Sequence, residues 1–440
     1  MSMSGLAEIL LQEQFQISGS DREHSEITQH LESKGVTIYY GQRASNIQDS
    51  IDLVVYTAAI REDNPEFQEI QQRNIPCLTR AELLGQLMKN YKTPIAVSGT
   101  HGKTTTTSMI SDILLEADTD PTLSIGGIFK RIKGNIRVGK SDLFVTEACE
   151  YTNSFLQFHP KIGIILNIEE DHMDYFHNIE QIRESFYQFA SLIPSDGYLI
   201  INGEIDHYED FIQGLTCHII SYGVKGEYTY SCKNITYDTL ARGTFTLYKD
   251  TIEEAHITIG AAGEHNISNA LASIALADLV QVERKYTYQA LLRFSGTQRR
   301  FEYKGELMGI TVIDDYAHHP TEIVATLTAA RNYPHKSIYC VFQPHTYTRT
   351  QAFLKEFAQA LLLADFIILA DIYAAREQNT IGITSVTLQQ EIQNLGKPCE
   401  YFPTFDEIEN HLLENCINGD LLITMGAGDI VQVGESLLGF

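Results

Sequence analysis

A short loop near residue 100 has the residue types and spacing of a loop that binds phosphate. It follows an apolar run at residues 94–97 and precedes a helical pattern whose apolar side chains share one face. The loop reads Gly99-Thr100-His101-Gly102-Lys103-Thr104-Thr105. This order predicts a strand, a turn and a helix N-terminus, where backbone N–H groups and the helix dipole face an anion.

Each residue type in this loop suits one task in binding a nucleoside triphosphate. Gly99 and Gly102 allow the backbone to approach phosphate, and Lys103 is expected along the β- and γ-phosphates. The hydroxyl of Thr104 or Thr105 is expected to bind Mg²⁺. The spacing G-x-x-G-K-T is shorter than the full G-x-x-x-x-G-K-[ST] pattern, so the alternative is a turn that opens an ordinary helix. The flanking strand and helix favour the phosphate loop.

Two later strand ends carry further candidates for metal binding. Glu147 ends a strand downstream of the loop, where a second Mg²⁺ ligand is expected, although a carboxylate there can also be a cap or a surface acid. His172 lies in the segment 171–174, between two aspartates that follow a buried strand. We predict that it binds a second metal or orients a phosphate. The alternative is that the two acids cap the next helix and His172 is incidental.

Two amides lie one helical turn apart at the start of a long helical pattern, next to a histidine. These residues are His265, Asn266 and Asn269. An amide offers both a donor and an acceptor, so the pair could read the edge of a base or a ribose. The alternative is that the asparagines cap the helix.

Two strand ends in the last third of the chain are rich in groups that could hold an amino acid. The first has Tyr316, His318 and His319, and the second has His345 and Arg349. Arginine suits a carboxylate, and histidines of tunable pKa suit an amine. A zinc site built from the three histidines is the rival interpretation, but no fourth ligand at the usual spacing is present.

The pattern of elements predicts an α/β protein of three domains. At 440 residues the chain is too long for one ordinary core. Strands alternate with helices throughout, which indicates parallel sheets covered by helices, with an antiparallel excursion at about residues 228–259. We place the domains at 1–92, 93–296 and 297–440, with a Rossmann-like sheet in the first and last and the phosphate loop in the central one.

The beginning of the chain departs from the usual dinucleotide-binding pattern. Such a half-domain opens with a strand and a glycine-rich turn, whereas residues 1–11 have the pattern of a helix with no strand before it. We therefore expect the first sheet to lack a central strand. Asp21, at the end of the next strand, is expected to meet a ribose or base, or alternatively to cap the following helix.

The composition excludes several classes of partner. A formal charge of −25 argues against nucleic acid and anionic membranes as the main partners. Seven cysteines without a C-x-x-C pair fit a reducing compartment rather than a disulfide framework. No apolar stretch reaches the roughly 18 residues of a membrane span. These features predict a cytoplasmic enzyme of small molecules.

These motifs, in this order, resemble the Mur ligase family, the ATP-dependent enzymes that form amide bonds in peptidoglycan precursor synthesis. The resemblance extends over essentially the whole chain. It implies that an N-terminal domain binds a UDP-sugar, a central domain binds ATP and Mg²⁺, and a C-terminal domain binds the amino acid. The implied substrates are UDP-N-acetylmuramate and L-alanine, joined through an acyl phosphate, in a monomer or weak homodimer. The alternatives are a relative that adds a whole tripeptide and a nucleotide-binding protein that does not ligate.

The resemblance also implies roles for individual residues. Lys103, His172, His319 and Arg349 would be catalytic, and Arg349 would hold the carboxylate of alanine. The amine would lie among Tyr316, His318, His319 and His345. Adenine or ribose contacts would come from His265, Asn266 and Asn269, and Arg300 would reach the ATP phosphates from the linker between domains. Ser4 and Gly5 match the end of the family's N-terminal glycine loop and, with Asp21, would bind the UDP-sugar.

Overall fold

The computed structural model describes residues 2–57, 60–173, 175–375 and 377–440, apart from the side chain of Ser2. Its first 92 residues contain two separate two-stranded parallel sheets, β1-β2 and β3-β4. The strands are β1 (Ser18–Asp21), β2 (Thr37–Tyr40), β3 (Val54–Tyr56) and β4 (Cys77–Thr79). The helices are α1 (Ser2–Gln12), α2 (Glu26–Ser33), α3 (Pro65–Gln72) and α4 (Arg80–Met88). Within the described residues no strand joins the two sheets.

A ten-stranded sheet forms the middle of the molecule. Its order is β14-β13-β12-β11-β10-β9-β5-β8-β6-β7. The strands are β5 (Thr93–Ser98), β6 (Thr122–Phe129), β7 (Gly134–Arg137), β8 (Leu143–Glu147), β9 (Ile162–Ile165), β10 (Tyr198–Asn202), β11 (His218–Gly223), β12 (Tyr230–Tyr237), β13 (Arg242–Lys249) and β14 (Ile252–Ala262). The helices are α5 (Lys103–Glu116), α6 (Ile179–Ser191), α7 (Tyr208–Phe211), α8 (Glu264–Leu279) and α9 (Arg284–Arg293). The predicted antiparallel excursion is confirmed in β12, β13 and β14.

The centre of this sheet is buried on both faces, and this explains its sequence. Residues 94–98 of β5 and all of β9 are buried, so these strands are continuous apolar runs rather than alternating ones. Two apolar cores form, one on each face. Helices α5, α8 and α9 cover one face and α4 and α6 cover the other. The phosphate loop is thus held between a rigid strand and a buried helix.

The last third of the chain forms a six-stranded sheet. Its order is β15-β16-β20-β17-β18-β19, parallel except for β15. The strands are β15 (Glu302–Leu307), β16 (Ile310–Asp315), β17 (Ile338–Phe342), β18 (Phe366–Leu369), β19 (Cys399–Tyr401) and β20 (Leu421–Met425). The helices are α10 (Pro320–Arg331), α11 (Tyr347–Ala352), α12 (Leu354–Leu361), α13 (Ser385–Asn394), α14 (Phe405–Asn415) and α15 (Val431–Leu438). The predicted α/β class is confirmed, whereas the exact domain boundaries stay a prediction.

The start of the chain is a helix that packs onto the central sheet. Gly5 is buried in α1, and a Cβ atom there would come within 2.1 Å of the Ile136 side chain on β7. Asp21 does not cap α2, because Ser25 is the N-cap and accepts from the backbone of Thr28. Ser25 and Thr28 form a reciprocal capping box, a local signal that the prediction overlooked.

Three further features concern the cysteines, the length of the helices and the strand ends of the two large sheets. All seven cysteines are free thiols. Within the residues that the structure describes, no helix combines the length and the apolar character needed to cross a bilayer. The carboxyl ends of β5, β8 and β9 face those of β16 and β17, as the contacts described next demonstrate.

Candidate active site

The loop between β5 and α5 needs glycine at two positions. Gly99 has φ 145° and Gly102 has φ 80°, a backbone conformation that side chains with a Cβ rarely adopt. A Cβ atom on Gly99 would lie 2.9 Å from the Cβ of Leu166, and one on Gly102 would lie 2.9 Å from the Asn269 side chain. Gly102 is also the residue that precedes the first turn of α5. The loop therefore leads directly into a helix N-terminus at Lys103, as predicted, while the N–H groups of Thr100 and His101 donate to Asn167.

Lys103 is held in a buried, fully hydrogen-bonded position. Its Nζ donates to the carbonyl oxygens of Gly99 at 2.5 Å and Thr100 at 3.0 Å, and to Glu150 at 3.0 and 3.2 Å. Burial alone would lower the pKa of Lys103, but the Glu150 carboxylate outweighs it and raises that pKa. The lysine is therefore charged. Glu150 was not predicted as a site residue, although its position three residues after Glu147 was a usable signal.

Thr104 and Glu147 form the arrangement expected of a magnesium site. The Thr104 hydroxyl donates to Glu147 Oε2 at 3.0 Å, and Gly126 N–H donates to Oε1 at 2.5 Å. Ligands next to each other in an octahedron with bonds of about 2.1 Å lie about 3 Å apart, so this spacing fits Mg²⁺. Burial raises the pKa of Glu147 despite these hydrogen bonds. A bound cation would relieve that cost, and the hydroxyl and carboxylate oxygens are the hard ligands that Mg²⁺ prefers.

His172 lies on the other side of Lys103, with φ 53°. Its Nε2 is 3.6 Å from Glu150 Oε1, and its ring centroid is 4.6 Å from that of Tyr151. Among the described residues, no hydrogen bond or ion pair joins it to Thr104 or Glu147. A second metal on His172 would therefore lie apart from Thr104 and Glu147, on the side where Glu150 is paired with Lys103. The alternative that nearby acids cap the next helix fails for Asp171, since Asn178 caps α6, and Asp174 lies outside the described residues.

A cavity of about 460 Å³ opens beside the phosphate loop, a size that suits a nucleoside. It is lined by residues of the loop, of α8 and of the last sheet, among them His101, Thr105, His265, Asn266, Asn269 and Arg300. The Asn266 amide donates to Ala262 O at 2.7 Å rather than capping α8, whose N-cap is Gly263. Asn269 donates to Asn266 Oδ1 at 3.1 Å. Burial lowers the pKa of His265 to about 4, so its ring is neutral.

The two neighbouring arginines of the linker have different tasks. Arg299, at φ 60°, binds Asp314 at 2.9 Å and the carbonyls of Gly426 and Gly428 at 2.8 Å, so it stabilises the last sheet. Arg300 lines the cavity and forms an ion pair of 3.5 Å with Glu322. Only Arg300 is therefore placed for a nucleotide, which agrees with the predicted assignment.

His101 links the central sheet to the last one. Its Nδ1 is 3.3 Å from Glu322 and its Nε2 is 3.6 Å from Glu169, while its ring lies 4.7 Å from that of His319. Burial alone would lower the pKa of His101, but the two neighbouring carboxylates raise it to about 9. The Thr321 hydroxyl also donates to Glu169 at 2.9 Å. Glu169 and Glu322 were not predicted as site residues, although each lies three residues from one that was, His172 and His319.

This network predicts a loss of stability at alkaline pH. The pKa of His101 is higher in the folded protein than its unfolded value near 6.5, so its stabilisation is complete below that value and is lost as pH rises through about 9. We expect the thermal midpoint to fall between pH 7 and 10 more steeply for the native protein than for His101→Gln. Differential scanning calorimetry across this range checks the prediction, and parallel curves for the two proteins would contradict it.

The candidate amino-acid site contains a second link between the sheets. Arg349 donates to Asp171 Oδ1 from Nη2 at 2.9 Å and from Nε at 3.3 Å, and its Nη1 lies 3.1 Å from His345 Nδ1. The His318 and His345 rings lie 5.7 Å apart. Burial would raise the pKa of Asp171, but His172 and Arg349 hold it well below its usual range. Asp171 was considered only as a possible helix cap and was not predicted as a site residue.

The three histidines of this site are neutral. Two of them carry the proton on Nε2 and the third carries it on Nδ1. Burial lowers the pKa of His318, His319 and His345 to about 4. His319 Nδ1 accepts from Thr321 N–H and His345 Nδ1 accepts from Arg349, so in both rings Nε2 carries the proton. His318 Nδ1 faces the carbonyl of Tyr316 at 2.9 Å and therefore donates, which leaves its Nε2 lone pair free.

The geometry does not support the zinc interpretation. In the part of the chain that is described, the group that could converge on a metal is His101, Glu169 and His319 rather than the three predicted histidines. His101 in that group lies between Glu169 and Glu322, whose carboxylates make it a cation at neutral pH in this structure. The cluster is better explained as an ion-paired contact between domains.

The predicted UDP-sugar residues lie apart from one another. Asp21 is exposed at the end of β1, and its Oδ1 accepts from Arg22 N–H at 2.6 Å, while Ser4 and Gly5 lie within α1. Arg80, at the start of α4, is better placed to bind an anion than these three residues. Its Nε is buried without a hydrogen-bond partner. Burial lowers the pKa of Arg80, and Cys149 and Glu147 offset this only in part. The orphaned donor fits an anionic ligand on this side of the phosphate loop.

Family models match three consecutive parts of the chain. The model described as Mur ligase family, catalytic domain, matches residues 1–92. The Mur ligase middle domain matches residues 97–277. The model described as Mur ligase, glutamate ligase domain, matches residues 299–428.

Individual proteins resemble the chain over nearly its whole length. The UDP-N-acetylmuramate–L-alanine ligase of Agathobacter rectalis is 56% identical over 438 residues, covering 100% of this chain and 95% of that protein. The crystal structure of UDP-N-acetylmuramate-alanine ligase from Thermotoga maritima has a TM-score of 0.83 at 28% identity, covering 99% and 96% of the two chains. A murein peptide ligase from Psychrobacter arcticus has a TM-score of 0.72 at 26% identity, with the same coverage.

Proposed function

The chain belongs to the Mur ligase family, and we propose that it uses ATP to join L-alanine to the lactyl carboxylate of UDP-N-acetylmuramate in peptidoglycan precursor synthesis. The observation that carries the proposal is the meeting of two half-sites. Lys103 in its phosphate loop lies beside Glu150 and His172, and Asp171, next to His172, is bonded to Arg349 of the last sheet. A phosphate site and an amino-acid site thus share one interface.

The phosphate loop supports activation of the carboxylate. A carboxylate is a poor acyl donor at neutral pH, so its oxygen attacks the γ-phosphorus of ATP, ADP leaves and an acyl phosphate results. Lys103, charged and aimed at the loop, offsets the charge on the transferring phosphoryl group. Thr104 and Glu147 would hold Mg²⁺, which supplies further positive charge when bound. His319 Nε2–H, a buried donor without a partner, is available to a phosphate oxygen.

The second site supports attack by the amine. The alanine nitrogen attacks the acyl carbon, the bond from that carbon to the phosphate oxygen breaks, and inorganic phosphate leaves as the amide forms. Arg349 binds the alanine carboxylate in this proposal. The ammonium group of alanine must lose one proton before its nitrogen can attack, and His318 Nε2 is the ring nitrogen of the three histidines with a free lone pair to accept it. The second proton leaves the nitrogen as the amide forms and departs with the phosphate. We therefore assign proton acceptance to His318 rather than to His319.

The contacts between the sheets support a closed reaction space. His101 with Glu322, Thr321 with Glu169 and Arg349 with Asp171 all join the central sheet to the last one. Closure keeps water from the acyl phosphate, which would otherwise hydrolyse. The same proposal places the enzyme in the cytoplasm as a monomer or weak homodimer, with Mg²⁺ as cofactor and without nucleic-acid or membrane partners.

The dependence of phosphate release on substrates tests this function. We expect phosphate and ADP to be released only when UDP-N-acetylmuramate and L-alanine are both present, with formation of UDP-N-acetylmuramoyl-alanine. Mass spectrometry of the product identifies the amide. Turnover with a tripeptide and none with L-alanine would assign the chain to the tripeptide-adding alternative. ATP hydrolysis that is independent of both substrates would indicate a nucleotide-binding protein that does not ligate.

A further inference from the structure

We propose that Asp171 binds the ammonium group of the amino-acid substrate. The zwitterion would then lie between Asp171, in the segment that follows β9, and Arg349 on helix α11. The inference rests on the proposed function and deepens it. It adds to the amino-acid site a residue from the domain that activates the carboxylate. The amino acid would then be held by both halves of the active site at once.

The burial of both charges is the first argument. Asp171 is 6% exposed and the Arg349 side chain is 11% exposed, and they bind each other through two N–H donors. If Arg349 turned to the carboxylate of a ligand, Asp171 would be left as a buried carboxylate without its ion-pair partner, which is a costly state. A ligand that brings its own positive charge avoids this cost. An α-amino acid carries that charge next to its carboxylate.

The surroundings of the pair give the second argument. The ring nitrogens nearest Arg349 belong to neutral histidines, as shown above, so they supply no negative charge for an ammonium group. Glu322 is already bound to His101, Arg300 and His318. Glu377 accepts hydrogen bonds from Thr348, and Glu169 accepts one from Thr321. Asp171 differs from them because its partner is Arg349, the group that would turn to the carboxylate of the ligand. A zwitterion inserted between Asp171 and Arg349 exchanges one ion pair for two and leaves no charge unpaired.

The position of Asp171 gives the third argument. It lies beside His172, whose Nε2 is 3.9 Å from Asp171 Oδ2 and 3.6 Å from Glu150, the partner of Lys103. An ammonium group on Asp171 would thus lie next to the residues that hold the transferring phosphoryl group. The nitrogen is brought close to the acyl carbon that it must attack.

Two nucleophiles separate binding of the amine from formation of the acyl phosphate. With UDP-N-acetylmuramate and ATP, hydroxylamine, which is small and neutral at pH 7, traps an acyl phosphate as a hydroxamate without needing the amino-acid site. For Asp171→Asn we expect the KM for L-alanine to rise at least about tenfold, since a desolvated charge pair is lost. Hydroxamate formation should stay within about twofold of the native rate. Glu170→Gln, at the exposed neighbouring position, is the matched control. It should change neither the KM for L-alanine nor the rate of hydroxamate formation.

Two results with this variant would overturn the proposal. One is an unchanged KM for L-alanine. The other is an equal loss of alanine coupling and hydroxamate formation, which would mean that Asp171 serves only to hold the domains together. Asp171→Glu should recover part of the alanine affinity if the carboxylate itself is needed. If the native protein gives hydroxamate but no alanine-dependent phosphate release, the proposed function fails instead.

A measurement on the native protein covers the case in which Asp171→Asn does not fold. Propionate has the carboxylate and the methyl group of alanine but lacks the ammonium group. We expect propionate to inhibit with a constant at least about thirtyfold above the KM for L-alanine, because its binding leaves Asp171 unpaired. Inhibition by propionate at concentrations near that KM would overturn the proposal.

Discussion

Replacing Lys103 by alanine should lower the rate of alanine-dependent phosphate release about a thousandfold, the scale seen when a positioned charge is removed from a transition state. Lys103 is the charged group of the phosphate loop, and its Nζ is already confined by two carbonyl oxygens and by Glu150. Its removal leaves the phosphoryl group without that charge. Steady-state assay of phosphate release at saturating ATP and both other substrates checks the prediction.

Loss of folding must be separated from loss of catalysis in this variant. Glu150 is 2% exposed, so Lys103→Ala leaves a buried carboxylate unpaired and should destabilise the fold by about 3 kcal/mol. The double variant Lys103→Ala/Glu150→Gln should regain most of that stability and none of the activity. Lys92→Ala, which removes an exposed lysine just before β5, should leave stability and activity unchanged. Recovery of activity in the double variant would contradict the catalytic role of Lys103.

Replacing Arg349 by glutamine should raise the KM for L-alanine about a hundredfold, which corresponds to about 3 kcal/mol of binding free energy. The guanidinium group offers two parallel N–H donors, from Nε and Nη2, and this fork now binds Asp171. A carboxylate of the substrate fits the same fork. The KM for ATP and the rate of hydroxamate formation should change little. Steady-state kinetics with each substrate varied in turn provides the measurement.

L-Alaninamide shows whether Arg349 recognises the carboxylate itself. The native protein should prefer L-alanine strongly over the amide, and Arg349→Gln should lose that preference. Lys355→Gln, at an exposed position on the neighbouring helix α12, should keep the preference for L-alanine over the amide. A rise in the KM for both compounds with the preference intact would mean that Arg349 acts only on domain closure.

Local motifs predicted the parts of the site that lie within one turn of the chain. The glycine loop, Lys103 and Thr104 were predictable because the required backbone conformation and side chains are consecutive in the sequence. The α/β class was predictable for the same reason, since buried parallel strands are short apolar runs that alternate with helical patterns. The family predicted from these motifs is confirmed by the family models and by relatives of high identity.

The charge partners of these residues could not be predicted locally. Glu169 and Glu322 acquire their roles from the packing of the central region of the chain against the last one, and sequence patterns carry no signal for such distances. Asp171 is similar, because its partner Arg349 lies 178 residues away. Arg299 was given no role by the sequence, and its bonds to Asp314 and to the carbonyls of Gly426 and Gly428 likewise depend on residues distant in the chain.

The fate of the carboxylate oxygen tests the central claim most directly. In the proposed reaction an oxygen of the lactyl carboxylate attacks the γ-phosphorus and leaves with phosphate when the amide forms. With UDP-N-acetylmuramate labelled by ¹⁸O in that carboxylate, mass spectrometry of the phosphate released with L-alanine should detect one ¹⁸O atom per molecule of amide. Phosphate without ¹⁸O, accompanied by amide formation or by ATP hydrolysis alone, would contradict the account.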